Sequence, residues 1–396
     1  RSTPKPSSAA SDVYKRQVTI GAQKVTIYSP VVDEYPELDK VLQEVRENFV
    51  DNPDGYGHIL QTLNRIYPGV SISIASTIKP IEPRPLHGVG VLELQKLAEM
   101  QGVFIGVDVG GSDVKVVLFE DGNPKIELTR EWNPRGITSG KEIFDFIAGL
   151  IREVKETAGV KEIRAIGIGW PDIIVNGQIV GHGTKTEGVD KNNPSEYDEY
   201  IKPLAQRISE EFNNIPVAIT TDGNLGAMWS AVQLNRGDVL VFTLGTSLGL
   251  GYIDELGVLS ETTLHASNAV IDIGEQAPCF KETSVRGAYR DYLSQCGVVR
   301  LVKELFGIDF KAQGLDYPAA LEKIQNWFQG SEGEREMAET IFTRMGRYLA
   351  EAILEFYNYF NEEGTDTIVL FGRVTAGEGG NIMKQTALSI LREAGL

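Results

Sequence analysis

From residue 102 to 133 the chain alternates between apolar and polar positions with a period of two. GVFIGVDVGG, SDVKVVLFEDG and KIELTREWN read as three strands joined by tight turns. The period then changes. KEIFDFIAGLIREVKETAG repeats its apolar residues every three or four positions, which predicts a helix. IRAIGIGW predicts a strand, DIIVNGQIVG a short hairpin, YDEYIKPLAQRISEEFN a helix, VAITTD a strand and NLGAMWSAVQLN a helix. After the turn NRGD the opening theme returns, with DVLVFTLGTSLGLGYIDELGVLS as strand, Gly-rich turn, strand. Helical runs follow in GAYRDYLSQCGVVRLVKELFG, PAALEKIQNWFQ and REMAETIFTRMGRYLAEAILEFYNYFNEEG, then a buried strand TIVLFG and a last helix. This order predicts an α/β body with two Gly-rich hairpins, each opening a lobe. No short-period repeat is evident.

The earlier residues differ. Within 18–100, VTIGAQKVTIYSPVV and VSISIAS are strand-like, PELDKVLQEVRENFV and HILQTLNRIY are helical, and DNPDGYG is a turn cluster. KPIEPRPLHG reads as an extended linker, because its prolines disfavour helix. No chemistry is assigned to this block, which is expected to be a separate domain or a partner surface. Residues 1–17, RSTPKPSSAASDVYKRQ, resemble a translated adapter and read as a non-native leader. The last residues, SILREAGL, end inside an amphipathic pattern with no cap, so truncation at the C-terminus is expected. The expected division is therefore 1–17, 18–100, a first lobe over 101–236 and a second over 237–396.

Composition narrows the function. The 396 residues allow two or three domains, and 42% apolar with 23% charged is ordinary for a globular chain. A formal net charge of −17 argues against non-specific nucleic-acid or anionic-membrane binding. It leaves room for a small anionic ligand in a local pocket. Two cysteines, Cys279 and Cys296, are too few for a disulfide framework or a Cys-rich zinc site, and a reducing cytoplasm is the expected setting. No apolar run has transmembrane length.

Phosphate oxygens need several N–H donors converging on one point. Gly-rich turns supply them, since no Cβ blocks close approach. In GVDVGGSDVK, Asp108 ends a buried-type strand beside Gly110 and Gly111, where a carboxylate can hold the water shell of Mg²⁺. Lys115 can reach the phosphates or lie on the outer face of the strand. The plainer reading is a hairpin with Asp108 satisfied by turn amides. GTSLGLG repeats the design, with Thr246 and Ser247 as hydroxyl donors and a glycine-bulge hairpin as its plainer reading. Two such turns suit a nucleotide clamped between lobes. Neither is a Walker loop or a dinucleotide fingerprint. Asp222, in VAITTDGNLGAMW, sits where a strand runs into a helix. It suits either a base for an attacking alcohol or a simple N-cap.

Taken in order, DVGGSDVK, TTDGN, FTLGTSLGLGYIDELG and IVLFG resemble the sugar kinases of the actin-like ATPase superfamily, and within it the ROK group of bacterial hexokinases and their regulator relatives. The resemblance covers about residues 102–396 and implies a two-lobed actin-like (ribonuclease H-like) fold. It implies ATP and Mg²⁺ as cofactors, Asp108 as the Mg²⁺-side carboxylate acting through water, and Asp222 as the catalytic base. Gly110, Gly111, Ser112 and Lys115 would form the first phosphate loop. Gly245, Thr246, Ser247 and Gly249 would form the second, with Gly372 at the adenosine side. Thr221 stands where the family's Asn is usual. His265 and Asn268, in LHASNAVID, stand roughly where its sugar-binding Glu and His would be. Further departures are Asp172 for the second Gly of the Gly-x-Pro-Gly hairpin containing Trp170 and Pro171, Arg290 where a sugar-contacting Glu is common, Arg373 after Gly372, and the absent Cys-rich zinc knot.

The function this implies is ATP-dependent phosphorylation of a sugar or sugar-like alcohol. The alternatives are a non-catalytic sugar-sensing regulator or binding protein without a DNA-binding domain, and an ATPase of the same superfamily. The expected partner is a small sugar, with no nucleic acid and no membrane, and a homodimer is left open. His265 is read evenly as a sugar contact or an inert loop residue. Lys185, in GHGTKTEG, is read as a solvated loop lysine in preference to an anion contact.

Overall fold

The structure, a computed structural model, describes residues 24–28, 71–75 and 101–396, less 112, 182, 184, 261–265, 273, 275, 281–284, 358 and 361–363. The helices expected in PELDKVLQEVRENFV and HILQTLNRIY lie outside these residues. Two expected strands, β1 (Lys24–Tyr28) and β2 (Ser71–Ala75), pair in parallel, Lys24 opposite Ser71 and Tyr28 opposite Ala75. The remaining described residues divide into two compact units, 101–237 with 253–260, and 238–252 with 266–396.

In the first unit β3 (Val103–Val109), β4 (Asp113–Glu120) and β5 (Asn123–Glu131) form the expected antiparallel meander. β6 (Ala165–Gly169) follows, then the small hairpin β7 (Ile174–Val175) and β8 (Gln178–Ile179), then β9 (Val217–Thr220). The five-stranded sheet runs β5–β4–β3–β6–β9, with β6 and β9 parallel to β3. Alternation decides what each face does. Ile105, Val107 and Val109 of β3 and Val114, Val116 and Leu118 of β4 are buried. The helix α1 (Gly140–Ala158) presents Ile143, Ile147, Ile151 and Val154 to the same core, at the spacing of one helix face. Ser139 caps α1 by accepting from the Glu142 N–H at 3.3 Å, and Gly159 closes it at φ 66°. Gly106 and Asp108 point away from Ile105, Val107 and Val109, in register with Gly167 and Gly169 of β6. Beside Asp108 that face carries Lys115 and Gly169, while Phe104, Val117 and Phe119 occupy it further from the turn.

α2 (Glu187–Asn192) comes next. The single helix expected over YDEYIKPLAQRISEEFN is interrupted: Tyr197–Ile201 form a π-type turn, and α3 (Leu204–Glu211) begins only after Pro203. Proline has no N–H to continue the ladder, so the amphipathic pattern passes through a break. α4 (Asp222–Leu234) completes the unit.

In the second unit β10 (Val239–Leu244) and β11 (Leu248–Ile253) form the second Gly-rich hairpin. β12 (Cys279–Phe280) and β13 (Val285–Arg286) are a short antiparallel pair, and β14 (Thr367–Phe371) runs parallel to β10, giving the order β11–β10–β14. The helices are α5 (Gln295–Phe306), α6 (Tyr317–Asn326), α7 (Glu332–Phe356) and α8 (Gly377–Ala394). α7 and α8 approach closely because glycines leave room. A Cβ on Gly346 would lie 2.6 Å from the Met383 carbonyl oxygen, and one on Gly379 would lie 2.3 Å from the Phe342 ring. α8 is closed by Gly395 at φ 93°, a C-cap where the sequence reading expected none. Among the described residues no helix is long and apolar enough to cross a membrane.

Candidate active site

In the first unit, β3 delivers Asp108 to the mouth of the turn into β4. The Gly110 N–H donates to the Asp113 carbonyl at 2.8 Å, and the Trp132 indole N–H donates to the Gly110 carbonyl at 3.1 Å. A Cβ on Gly110 would sit 2.7 Å from the Asp113 oxygen, so the turn itself demands glycine. Gly111 is different. Among the described residues a Cβ there would meet only the Cε of Lys185, at 3.9 Å. One glycine serves the turn; the other offers its backbone to open space. Ser112 lies outside the described residues.

Asp108 is exposed and pairs in register with Lys115 of β4 and Gly169 of β6. Desolvation by the surrounding protein raises its carboxyl above the usual aspartate range; the Lys115 charge opposes this and the Asp113 charge adds to it.

Asp222 is the first residue of α4 and not its cap. The cap is Thr221, whose Oγ1 accepts from the Asn224 N–H at 3.1 Å. The Asp222 carboxylate accepts instead from the Gly223 N–H at 2.9 Å. Desolvation raises its carboxyl above the usual aspartate range and is the largest cause; the Gly223 N–H and the Lys185 ammonium pull it down, and the Asp108 charge pushes it up. Asp222 is nonetheless exposed by surface. Protein crowds the carboxyl without sealing it: the surface governs whether a substrate reaches it, and the crowding governs its acidity. Asp108, Asp222 and Lys185 therefore share one electrostatic field within one unit.

The segment carrying Lys185 is held from below. Asp172 accepts from the Ile173 N–H through Oδ1 and from the Gly183 N–H through Oδ2, each at 2.8 Å. Thr186 is buried, and its N–H and Oγ1 donate to the Gly183 carbonyl at 3.0 and 3.3 Å. A Cβ on Gly181 or Gly183 would fall 1.8 or 2.5 Å from an Asp172 oxygen, so both glycines make room for that carboxylate. Lys185, read from sequence as a solvated loop lysine, lies against the first glycine turn. Sequence reasoning treated Asp172 only as a departure from a motif. The signal available was its partner pattern, Gly-His-Gly nine to eleven residues later.

In the second unit the Gly245 N–H donates to the Ser247 carbonyl at 3.0 Å, and the Gly245 carbonyl accepts from the Gln295 N–H at the start of α5 at 2.9 Å. The nearest atom to a Cβ on Gly245 would be 4.0 Å away, Thr246 is exposed, and Ser247 and Gly249 are half-buried. Gly372 ends β14 at φ 101°, and a Cβ there would lie 2.3 Å from the Leu244 carbonyl oxygen. The ends of β10 and β14 thus meet beside the loop, with Arg373 exposed next to them. Asn268 is buried in the turn Ala266–Asn268; His265 lies outside the described residues.

Each unit therefore gathers its own set: Asp108, Gly110, Gly111, Lys115 and Asp222 in one, Gly245–Gly249 and Gly372 in the other. Among the described residues no group of three or more His, Cys, Asp or Glu could hold a metal. A single exposed carboxylate at Asp108 fits a hard cation that keeps most of its waters and takes its other ligands from phosphate.

The ROK family model matches residues 104–393, and the chain belongs to the ROK family. A glucokinase of Halalkalibacterium halodurans is 24% identical over 299 residues, which are 71% of this chain and 83% of the relative. The crystal structure of the ROK hexokinase from Thermus thermophilus superposes with a TM-score of 0.52 at 18% identity, covering 74% of this chain and 88% of that one. A ROK family transcriptional regulator, a homologue of the E. coli MLC protein, superposes with a TM-score of 0.54 at 14% identity, covering 97% of this chain and 87% of that one. At these identities the two structures establish a shared fold.

Proposed function

We propose that this ROK-family chain has the two-lobed actin-like architecture and transfers the terminal phosphoryl group of ATP to a hydroxyl of a sugar or sugar-like alcohol. The observation that carries this reading is the state of Asp222. It is exposed at the start of α4, freed from capping by Thr221, and set in one field with Asp108 and Lys185 beside the open Gly111. Asp222 accepts the hydroxyl proton as the acceptor oxygen bonds to phosphorus and the bridging oxygen leaves with ADP. The Gly223 N–H keeps the carboxylate oriented. Gly110, Gly111, Ser112 and Lys115 are the candidate first set of phosphate donors. Gly245, Thr246, Ser247 and Gly249 are the candidate second set of donors, Gly372 the candidate adenosine-side residue, and Thr221, His265 and Asn268 the candidate sugar contacts. Asp108 would hold magnesium through water, and the ion would supply neutralisation of phosphate charge.

The test is ADP formation from ATP and magnesium, with and without a panel of neutral, amino, N-acylated and acidic sugars. Stimulation by one sugar, with its phosphate ester as product, supports the kinase; equal turnover without sugar identifies an ATPase instead. A second reading, a sugar-binding regulator without catalysis, is favoured by one observation: the regulator match spans 97% of this chain, against 74% for the hexokinase. Saturable sugar binding with no ADP formation would establish it.

A further inference from the structure

We propose that Lys185 is a catalytic cation that contacts the phosphoryl group in transit to the hydroxyl held by Asp222, and that Asp172 is the residue that positions it. The inference rests on the phosphotransfer reading and deepens it.

Three observations converge. Lys185 is the described side chain nearest to the open side of Gly111, its Cε 3.9 Å from where a Cβ would stand. The charge of the same ammonium also acts on Asp222. A group passing from the first glycine turn to an alcohol on Asp222 crosses the space that Lys185 borders. The third observation is the mounting. Asp172 fixes Gly183 at 2.8 Å, and buried Thr186 ties back to the Gly183 carbonyl at 3.0 Å, so the backbone is anchored on both sides of Lys185. Asp172, Gly183 and Thr186 thus fix the backbone from which the long cationic side chain of Lys185 extends. Lysine suits that place because its ammonium is a compact charge on a flexible stem, able to follow a moving phosphorus. Charge on the equatorial oxygens is what a preorganised cation stabilises. The Lys185 charge also opposes the desolvation that raises the Asp222 carboxyl.

The experiment uses the full chain, native and with Lys185→Met, Lys185→Arg, Asp172→Asn and the double variant Asp172→Asn/Lys185→Met. Two readouts are taken: sugar-stimulated ADP formation, and the gain in MgADP affinity on adding aluminium fluoride, which mimics the transferring phosphoryl. Lys185→Met should lower turnover roughly 10²–10³-fold, the loss typical of removing one preorganised donor. It should abolish the fluoroaluminate gain while ADP alone binds within about threefold, and Lys185→Arg should keep part of both. The double variant should be no slower than Lys185→Met, because Asp172 acts only through Lys185. Native-like turnover and an undiminished fluoroaluminate gain in Lys185→Met would overturn the proposal. Additive losses in the double variant would overturn the positioning role of Asp172. A native chain that phosphorylates no sugar, yet shows a fluoroaluminate gain that vanishes in Lys185→Met, would overturn the acceptor assignment and leave Lys185 in place.

Discussion

Asp222→Asn separates chemistry from architecture, because adjacent residues divide the two tasks. Thr221 caps α4 through a 3.1 Å bond from the Asn224 N–H, while Asp222 accepts from Gly223 at 2.9 Å. Asparagine keeps a carbonyl oxygen for Gly223 and leaves the Thr221 cap untouched. What it removes is the proton acceptor. Losing a general base costs about 10²–10⁴-fold in rate, which is about 2.7–5.4 kcal/mol at about 1.36 kcal/mol per decade. The folding cost is far smaller. A negative charge in the first turn contributes about 0.3–1 kcal/mol through the helix dipole. Its loss is offset because a desolvated carboxylate no longer has to be kept charged. Thr221→Ala is the complement: it should cost about 1 kcal/mol of stability, a Tm fall of about 2–4 °C for a unit of this size, with its effect on the chemical step secondary. The assay is steady-state phosphotransfer with the sugar identified in the panel, alongside thermal melts of both variants. kcat should collapse in Asp222→Asn with the KM for both substrates little changed. Turnover within a few-fold of native would refute the base assignment. A melting temperature lowered as much as in Thr221→Ala would show that Asp222 carries the cap.

The first glycine turn should respond differently at its two positions. Gly111→Val, whose Cβ would meet only the Lys185 Cε at 3.9 Å among the described residues, should weaken nucleotide binding roughly 10–100-fold, the equivalent of one charged hydrogen bond, in a chain that melts normally. Gly110→Ala, facing an oxygen at 2.7 Å, should instead destabilise by about 1–3 kcal/mol; the reverse pattern would refute the division of labour. Because Asp222 must be ionised to act and its carboxyl is raised by desolvation, the rate should fall on acidification at a pH above the usual aspartate range. Lys185→Met should move that limb to still higher pH, since the Asp108 charge then acts without its counterweight. An unmoved limb in a pH–rate series would contradict this. Removal of residues 1–100 should leave nucleotide affinity unchanged in calorimetry, since the family match begins at residue 104.

What could be read in advance followed from local periodicity. β3, β4 and β5 alternate cleanly, and their EDG turn bends through positive φ at Asp121 and Gly122. α1 carries its own boundaries in Ser139 and Gly159. Where neighbours compete, local pattern stops deciding. TTD offers three capping residues in a row, and only the backbone selects Thr221. In YDEYIKPLAQRISEEFN the apolar spacing runs through Pro203 and hides the break. The placing of Lys185 depended on a hydrogen bond from the Gly183 N–H to the Asp172 carboxylate across the loop, which no periodicity records. The second glycine loop was legible by repetition of the first.

The Asp172 carboxylate also constrains how this segment can change. At Gly183, whose φ is not positive, the three nearest atoms an added Cβ would meet all belong to Asp172, at 2.5, 3.1 and 3.4 Å. Alanine at 183 is therefore costly while Asp172 is present, and that cost disappears if position 172 first becomes glycine. The two positions are therefore expected to be epistatic: the same replacement at 183 meets a carboxylate or open space according to what stands at 172. While Asp172 is present, positions 181 and 183 are held to glycine, and any replacement there is eased first at residue 172.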